Sequence, residues 1–269
     1  MAILKKLLFA PFFLIAVTLL VSALEPLFNS YDFIFSLSSQ TLYTLTLLAM
    51  FIFLTGFFFC LFATFAGEWK LIVPVGLAGA LIPMLSLPQN MAVILFAVIS
   101  VSFLVVYLNL QSSLKTYLSF HASSLIGPAI RQLATFLIIA VALVYFLSVN
   151  KMISQNGFAI PDSLIDTAMK MTPIDTEQAS LTLPNAIKSS DNASPVKQIV
   201  KNQLQAVFKP YQNFIPPILA LLLFLSLQSF VSILGIFLTP LLWLIFLIFE
   251  KTGFVKFEVE QRTVRKLVV

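Results

Sequence analysis

Between Leu7 and Val149 the chain carries only six charged side chains: Glu25, Asp32, Glu68, Lys70, Lys115 and Arg131. Long stretches without charge leave few ways to fold. A soluble domain has about 25% charged residues. Here they make up 10%, against 59% hydrophobic residues and a mean hydropathy of +1.01. That is too little polar surface to cover a globule in water. In lipid, backbone amides must be satisfied internally, which selects helices. The sequence therefore predicts an all-α polytopic membrane protein. It has about seven transmembrane helices, a small helical extramembrane insert and a short β-like C-terminal tail.

A crossing helix needs roughly 20 mainly apolar residues. Apolar runs at 7–24, 42–66, 71–87, 91–110 and 129–149 meet that need and define a five-helix membrane region, 1–149. The first run follows Lys5 and Lys6 and reads as a retained anchor, because another span follows it instead of a cleavage site. The third is short and holds Pro74 and Pro83. The fifth is expected to open at Gly127-Pro128, since proline costs no hydrogen bond in a first helical turn. Residues 150–212, where lysines and acids return, form the insert. The apolar run 214–249 would be ~54 Å long as one helix, too long for a single crossing. Its polar group and Gly235 divide it into spans at 217–233 and 236–249, a helix pair within 213–250. Six crossings are the alternative. A charged tail, 251–269, follows, and alternation of Val255, Phe257 and Val259 with Lys256, Glu258 and Glu260 suggests a strand.

Basic residues are retained on the cytoplasmic side of short loops. Lys5 and Lys6 place the N-terminus inside, and Lys115 and Arg131 mark a second inner loop. The insert then lies outside. Seven crossings would put the tail outside too, although Lys251, Lys256, Arg262, Arg265 and Lys266 ask for the inside. A helix lying across the membrane surface at 236–249 would resolve the conflict, yet that stretch lacks a polar face. Low arginine with high lysine and phenylalanine suggests an AT-rich, bacterial genome, hence a bacterial cytoplasmic membrane.

Within the insert, 164–171 reads as a short helix, and Ser194-Pro195 caps a stronger one. The apolar positions of the second are Val196, Ile199, Val200, Leu204, Val207 and Phe208, a helical stripe that could dock a partner or pack on the spans. Asn192-Ala193-Ser194 matches a glycosylation acceptor, a motif short enough to arise by chance. Leu110, Leu114, Tyr117 and Leu118 extend a stripe past the fourth span, with His121 next on that face, as in a surface-lying helix.

The spans are poor in chemistry. One cysteine and one histidine exclude an intrachain disulfide, a cysteine cluster and a multi-histidine metal site. No cofactor is implied, and the scattered basic residues form no nucleic-acid patch. Ionisable groups buried in spans usually serve a function, but Glu68, Lys70, Arg131, Lys151 and Glu250 all fall at predicted ends. Proton-coupled transport and intramembrane metallo- or aspartic proteolysis are thereby unsupported. A serine nucleophile would need His121, at a different depth from Ser100, Ser102, Ser226, Ser229 and Ser232. Ser226, Gln228, Ser229 and Ser232 form the best candidate polar notch at membrane depth, with interhelical hydrogen bonding as the plainer role. Gly76 with Ala80 is the one fair small-residue pair.

No motif carries a family assignment. The leading expectation is a non-enzymatic membrane scaffold or accessory subunit, whose partners are the lipid bilayer and other membrane proteins. The second is a passive carrier or channel for an apolar or lipid-like solute. An enzyme acting on lipid is third.

Overall fold

The computed structural model describes residues 6–29, 39–116, 121–158, 205 and 209–255. Among these the protein is helical, with no strand. The helices are α1 (Ala10–Ala23), α2 (Glu25–Asn29), α3 (Ser39–Ala66), α4 (Trp69–Ser86), α5 (Gln89–Thr116), α6 (Ala122–Asn156), α7 (Ile215–Leu234) and α8 (Leu238–Lys251), with a 3-10 turn, Lys209–Phe214, before α7. Six helical segments are long and apolar enough to cross a bilayer: Ala10–Leu27, Ser39–Ala66, Trp69–Ser86, Gln89–Thr116, Ala122–Gln155 and Pro210–Leu234. The chain is thus an integral, multi-pass membrane protein. The expected strand lies outside the described residues except for Val255.

α3 and α6 are the central pair. α1, α4, α5 and α7 pack on α3; α5, α7 and α8 pack on α6. The central crossing is close because Gly56 has no side chain: a Cβ there would stand 3.3 Å from the carbonyl oxygen of Ile130. α3 ends at Gly67, whose φ of 63° is the left-handed conformation that glycine adopts without a Cβ penalty. α4 runs unbroken through both prolines and buries Ile72, Gly76, Gly79, Ala80 and Pro83, a stripe at helical spacing. Gly76 and Gly79 meet a phenylalanine nucleus instead of another backbone. Phe59 stacks on Phe103 at 4.5 Å between ring centroids, and Phe13 lies 5.4 Å and 5.2 Å from those two rings. In a bilayer, lipid tails are as apolar as the core, so this van der Waals interlock replaces the hydrophobic effect as the cohesive force.

Two elements differ from expectation. α6 opens at Ala122, before the Gly127-Pro128 pair, with Pro128 inside the helix. The start is fixed by His121, whose carbonyl accepts from the amides of Ser124 and Leu125, both at 3.1 Å. His121 is therefore the residue before α6, in extended conformation, and does not continue the α5 stripe. Tyr117 and Leu118 lie outside the described residues.

The second difference is α8. Its 14 residues rise ~21 Å, less than the ~30 Å of bilayer hydrocarbon. Its first residue, Leu238, approaches Gly127, near the start of α6. Its last turn meets the start of α1 and the end of α3: Phe249 lies 5.9 Å from Phe9 and 5.4 Å from Phe65, and Phe246 lies 5.8 Å from Phe65. Both ends of α8 thus sit at one end of the bundle, where α1 begins. α8 lies across that end, burying Leu238, Leu242 and Phe246 and leaving Trp243 64% exposed. The stretch read from the sequence as a seventh span is thus too short to cross upright, and it lies across one end of the bundle.

The same end carries a Lys6–Glu68 ion pair. The Lys6 ammonium donates to the carboxylate of Glu68 and holds it below the usual carboxylate range. Both groups are well solvated, so the pair stabilises weakly. What it gives is present at neutral pH and fades as pH falls through the lowered Glu68 value.

Candidate functional site

The candidate notch on α7 is not a convergent site. The hydroxyls of Ser226, Ser229 and Ser232 donate to the carbonyls of Leu222, Leu225 and Gln228 at 2.8, 2.8 and 2.7 Å. Each is spent on its own helix, four residues back, as serine in an apolar helix tends to be. At 100° per residue the four side chains spread over ~160° of α7. Ser229 and Ser232 are exposed on the bundle's outer surface. Gln228 differs: its Oε1 is buried without a partner among the described residues. The other candidate face, Val196, Ile199, Val200, Leu204, Val207 and Phe208, lies outside the described residues. From the same predicted helix Gln205 is described, and its amide donates to the Phe158 carbonyl at 3.3 Å.

Arg131 sits nine residues into α6 rather than at its mouth. Its guanidinium donates to the carbonyl of Gly235 at 3.3 Å, satisfying the turn between α7 and α8. A Cβ at Gly235 would stand 3.2 Å from the Ser232 carbonyl oxygen, so the tight spot of this turn is its own backbone. Beside it, Asn109 donates to Gln132 at 3.1 Å, joining α5 to α6. These contacts assign Arg131 a structural role that its sequence position conceals. His121 precedes α6 at the rim of the bundle, whereas Ser100 and Ser102 lie at least ~21 Å of helix back from the end of α5. Among the described residues no three His, Cys, Asp or Glu side chains could share a metal ion.

Two cavities stand out among the described residues. One is central, about 10 Å³, and lined by Val17, Thr55, Ile99, Phe103 and Leu137 among others. It is at the lower limit for a single water molecule and offers no passage for a solute. The other, about 60 Å³, lies between α4 and α5 and is lined by Phe59, Ile72, Gly76, Ser100, Phe103 and Tyr107 among others. Ser100 Oγ and Tyr107 Oη are both buried there without a hydrogen-bond partner among the described residues. In the sequence Ser100 is one of several span serines, and nothing local joins it to Tyr107. Their spacing of seven residues, two helical turns on one face of α5, was the available signal. Comparison of the chain with protein-family models, curated proteins and solved structures finds no match.

Proposed function

We propose that this multi-pass membrane protein is a non-enzymatic scaffold or accessory subunit of a bacterial cytoplasmic membrane, with the N-terminus cytoplasmic. The observation behind this reading is the closed interior. The central void is about 10 Å³, and the α7 serines bond to their own helix instead of lining a path. Little of α7 is buried against the bundle, and Leu221, Leu225 and Ser229 form an exposed stripe at four-residue spacing. That stripe is the surface we assign to a neighbouring membrane protein, with the small Ser229 side chain allowing close packing. The test is photo-crosslinking in intact cells from single positions. Residues 221, 225 and 229 are expected to give a discrete protein adduct, and the exposed α5 positions 93, 101 and 108 none. Monomer alone at every position would end the scaffold reading. A passive carrier for an apolar or lipid-like solute is the second reading, favoured by the sideways cavity between α4 and α5.

The course of α8 supports six crossings, which bring the tail back to the side of the N-terminus and agree with retention of Lys251. Single cysteines replacing Lys115, Lys188 and Lys266 in a Cys60→Ala background measure this. Positions 115 and 266 are expected to label from one side of the membrane and 188 from the other. Labelling of 115 and 188 from one side would overturn the topology, and labelling of 266 with 188 would require α8 to cross.

A further inference from the structure

The helical hydroxyls of this protein follow a habit. Thr18, Thr64, Ser102, Thr135 and Ser226 each donate to the carbonyl four residues back. Ser100, two residues from Ser102 on α5, does not, and its buried Oγ gives onto the α4–α5 cavity. Tyr107 is only 5% exposed, and its hydroxyl meets the same cavity without a partner. An unpartnered buried hydroxyl is costly in an apolar setting. Two of them sharing one space point to an occupant that accepts hydrogen bonds.

The cavity limits the chemistry of that occupant. Its other walls are apolar: Phe59, Ile72, Gly76, Leu77, Phe103 and Leu104. No charged side chain lines it, so an ionic ligand would lie unpaired. Leu77 and Leu104 are 43% and 49% exposed at its mouth, which opens towards lipid. Its depth is also informative. Ile72 and Gly76 lie three and seven residues past Trp69, or ~5–10 Å of helix rise. Trp69 is 62% exposed beside the Lys6–Glu68 pair and marks the membrane boundary. The space thus begins just below the boundary at Ile72 and Tyr107 and reaches deeper among the acyl chains at Ser100.

We propose that the α4–α5 cavity binds the upper part of one membrane-lipid acyl chain, whose ester carbonyl accepts hydrogen bonds from Ser100 and Tyr107. Gly76 shapes the site: a Cβ there would meet Phe59 and Phe103 at 3.8 and 3.9 Å, so longer side chains at 76 project into the cavity. The site is independent of the scaffold reading, because lipid in the cavity and protein on α7 are detected at different residues.

The full chain in phosphatidylcholine nanodiscs tests it. The discs carry a small fraction of phosphatidylcholine with a diazirine in the acyl chain near the ester. Photolysis followed by peptide mass spectrometry is expected to place adducts on Phe59 and Ile72, which are 0% and 2% exposed and out of reach of bulk lipid. Exposed Val101 gives the bulk reference. Ser100→Ala with Tyr107→Phe removes two oxygens and little volume, and is expected to lower the Phe59 and Ile72 adducts about tenfold relative to Val101. Gly76→Leu fills the space and is expected to abolish them. A diazirine fatty alcohol of equal length, without the ester, is expected to label only at Val101. Absence of adducts on Phe59 and Ile72, as from a cavity holding water alone, overturns the proposal. So does equal labelling by the alcohol, or labelling unchanged in the Ser100/Tyr107 variant.

Discussion

Replacing Phe103 with alanine is expected to cost roughly 3 kcal/mol of bundle stability, near the lower end of the range for buried phenylalanine. Phe103 is 3% exposed, stacks on Phe59 at 4.5 Å and meets Phe13 edge-on at 5.2 Å. The lower end applies because lipid solvates a phenylalanine about as well as the core does, so the transfer part of the loss largely vanishes. What remains is lost dispersion contact, two aromatic pairs and the void. The void is unusually placed. Phe103 lines both the central cavity of about 10 Å³ and the α4–α5 cavity of about 60 Å³, so truncation joins them. Reversible unfolding in mixed micelles measures the cost. Phe237→Ala is the control: that ring is 63% exposed and its loss is expected to change stability by less than about 0.5 kcal/mol. If both variants unfold alike, the phenylalanine nucleus is not what holds α1, α3 and α5 together.

The middles of the spans were legible because lipid tolerates few alternatives to a run of apolar residues. The α3 run, predicted at 42–66, ends at Ala66 in the structure. Their ends were less legible. Pro128 reads as a helix start, but a proline removes a single backbone hydrogen bond, and the helix continues through it when its flanks are held. Here His121 holds the start and Gly127 packs against Leu238. The course of α8 was hidden for a different reason. A short apolar segment reads the same whether it crosses the membrane or lies across its boundary. The choice is made by distant partners, Phe9 and Phe65 at one end and Gly127 at the other. Basic residues in the tail carried the only local hint that the segment before them does not cross.

The candidate site shows the same division. Sequence reports that a serine is polar but not where its hydroxyl turns. Ser226, Ser229 and Ser232 stood out as neighbours along the chain, yet each bonds to its own backbone. Ser100 and Tyr107, seven residues apart along α5, form the shared polar edge. Gly56 gives no local signal, because the close approach it permits involves a backbone 74 positions away, that of Ile130.

Gly79→Val is expected to cost about 3 kcal/mol, at the upper end of overpacking losses, while Gly76→Ala is expected to be neutral or stabilising by up to about 1 kcal/mol. The two glycines are three residues apart on one buried face of α4, and composition alone gives no reason to separate them. Space does. A Cβ at Gly79 would stand 2.8 Å from two ring atoms of Phe13, whereas one at Gly76 meets nothing closer than 3.8 Å. The Phe13 ring could yield if it had room, but it is 0% exposed and packed against Phe59 and Phe103. Moving it would push apart α1, α3 and α5 together. Valine adds two methyl groups beyond the clashing carbon, and its branched side chain has little rotamer freedom in a helix. The gain at Gly76 is small because detergent-unfolded chains keep much of their helix, which limits the entropy that alanine removes. The same micellar unfolding titration reads both variants. A loss at Gly76 equal to that at Gly79 would mean that α4 does not lie against Phe13 at this depth, and the order of helices around the nucleus would then have to change.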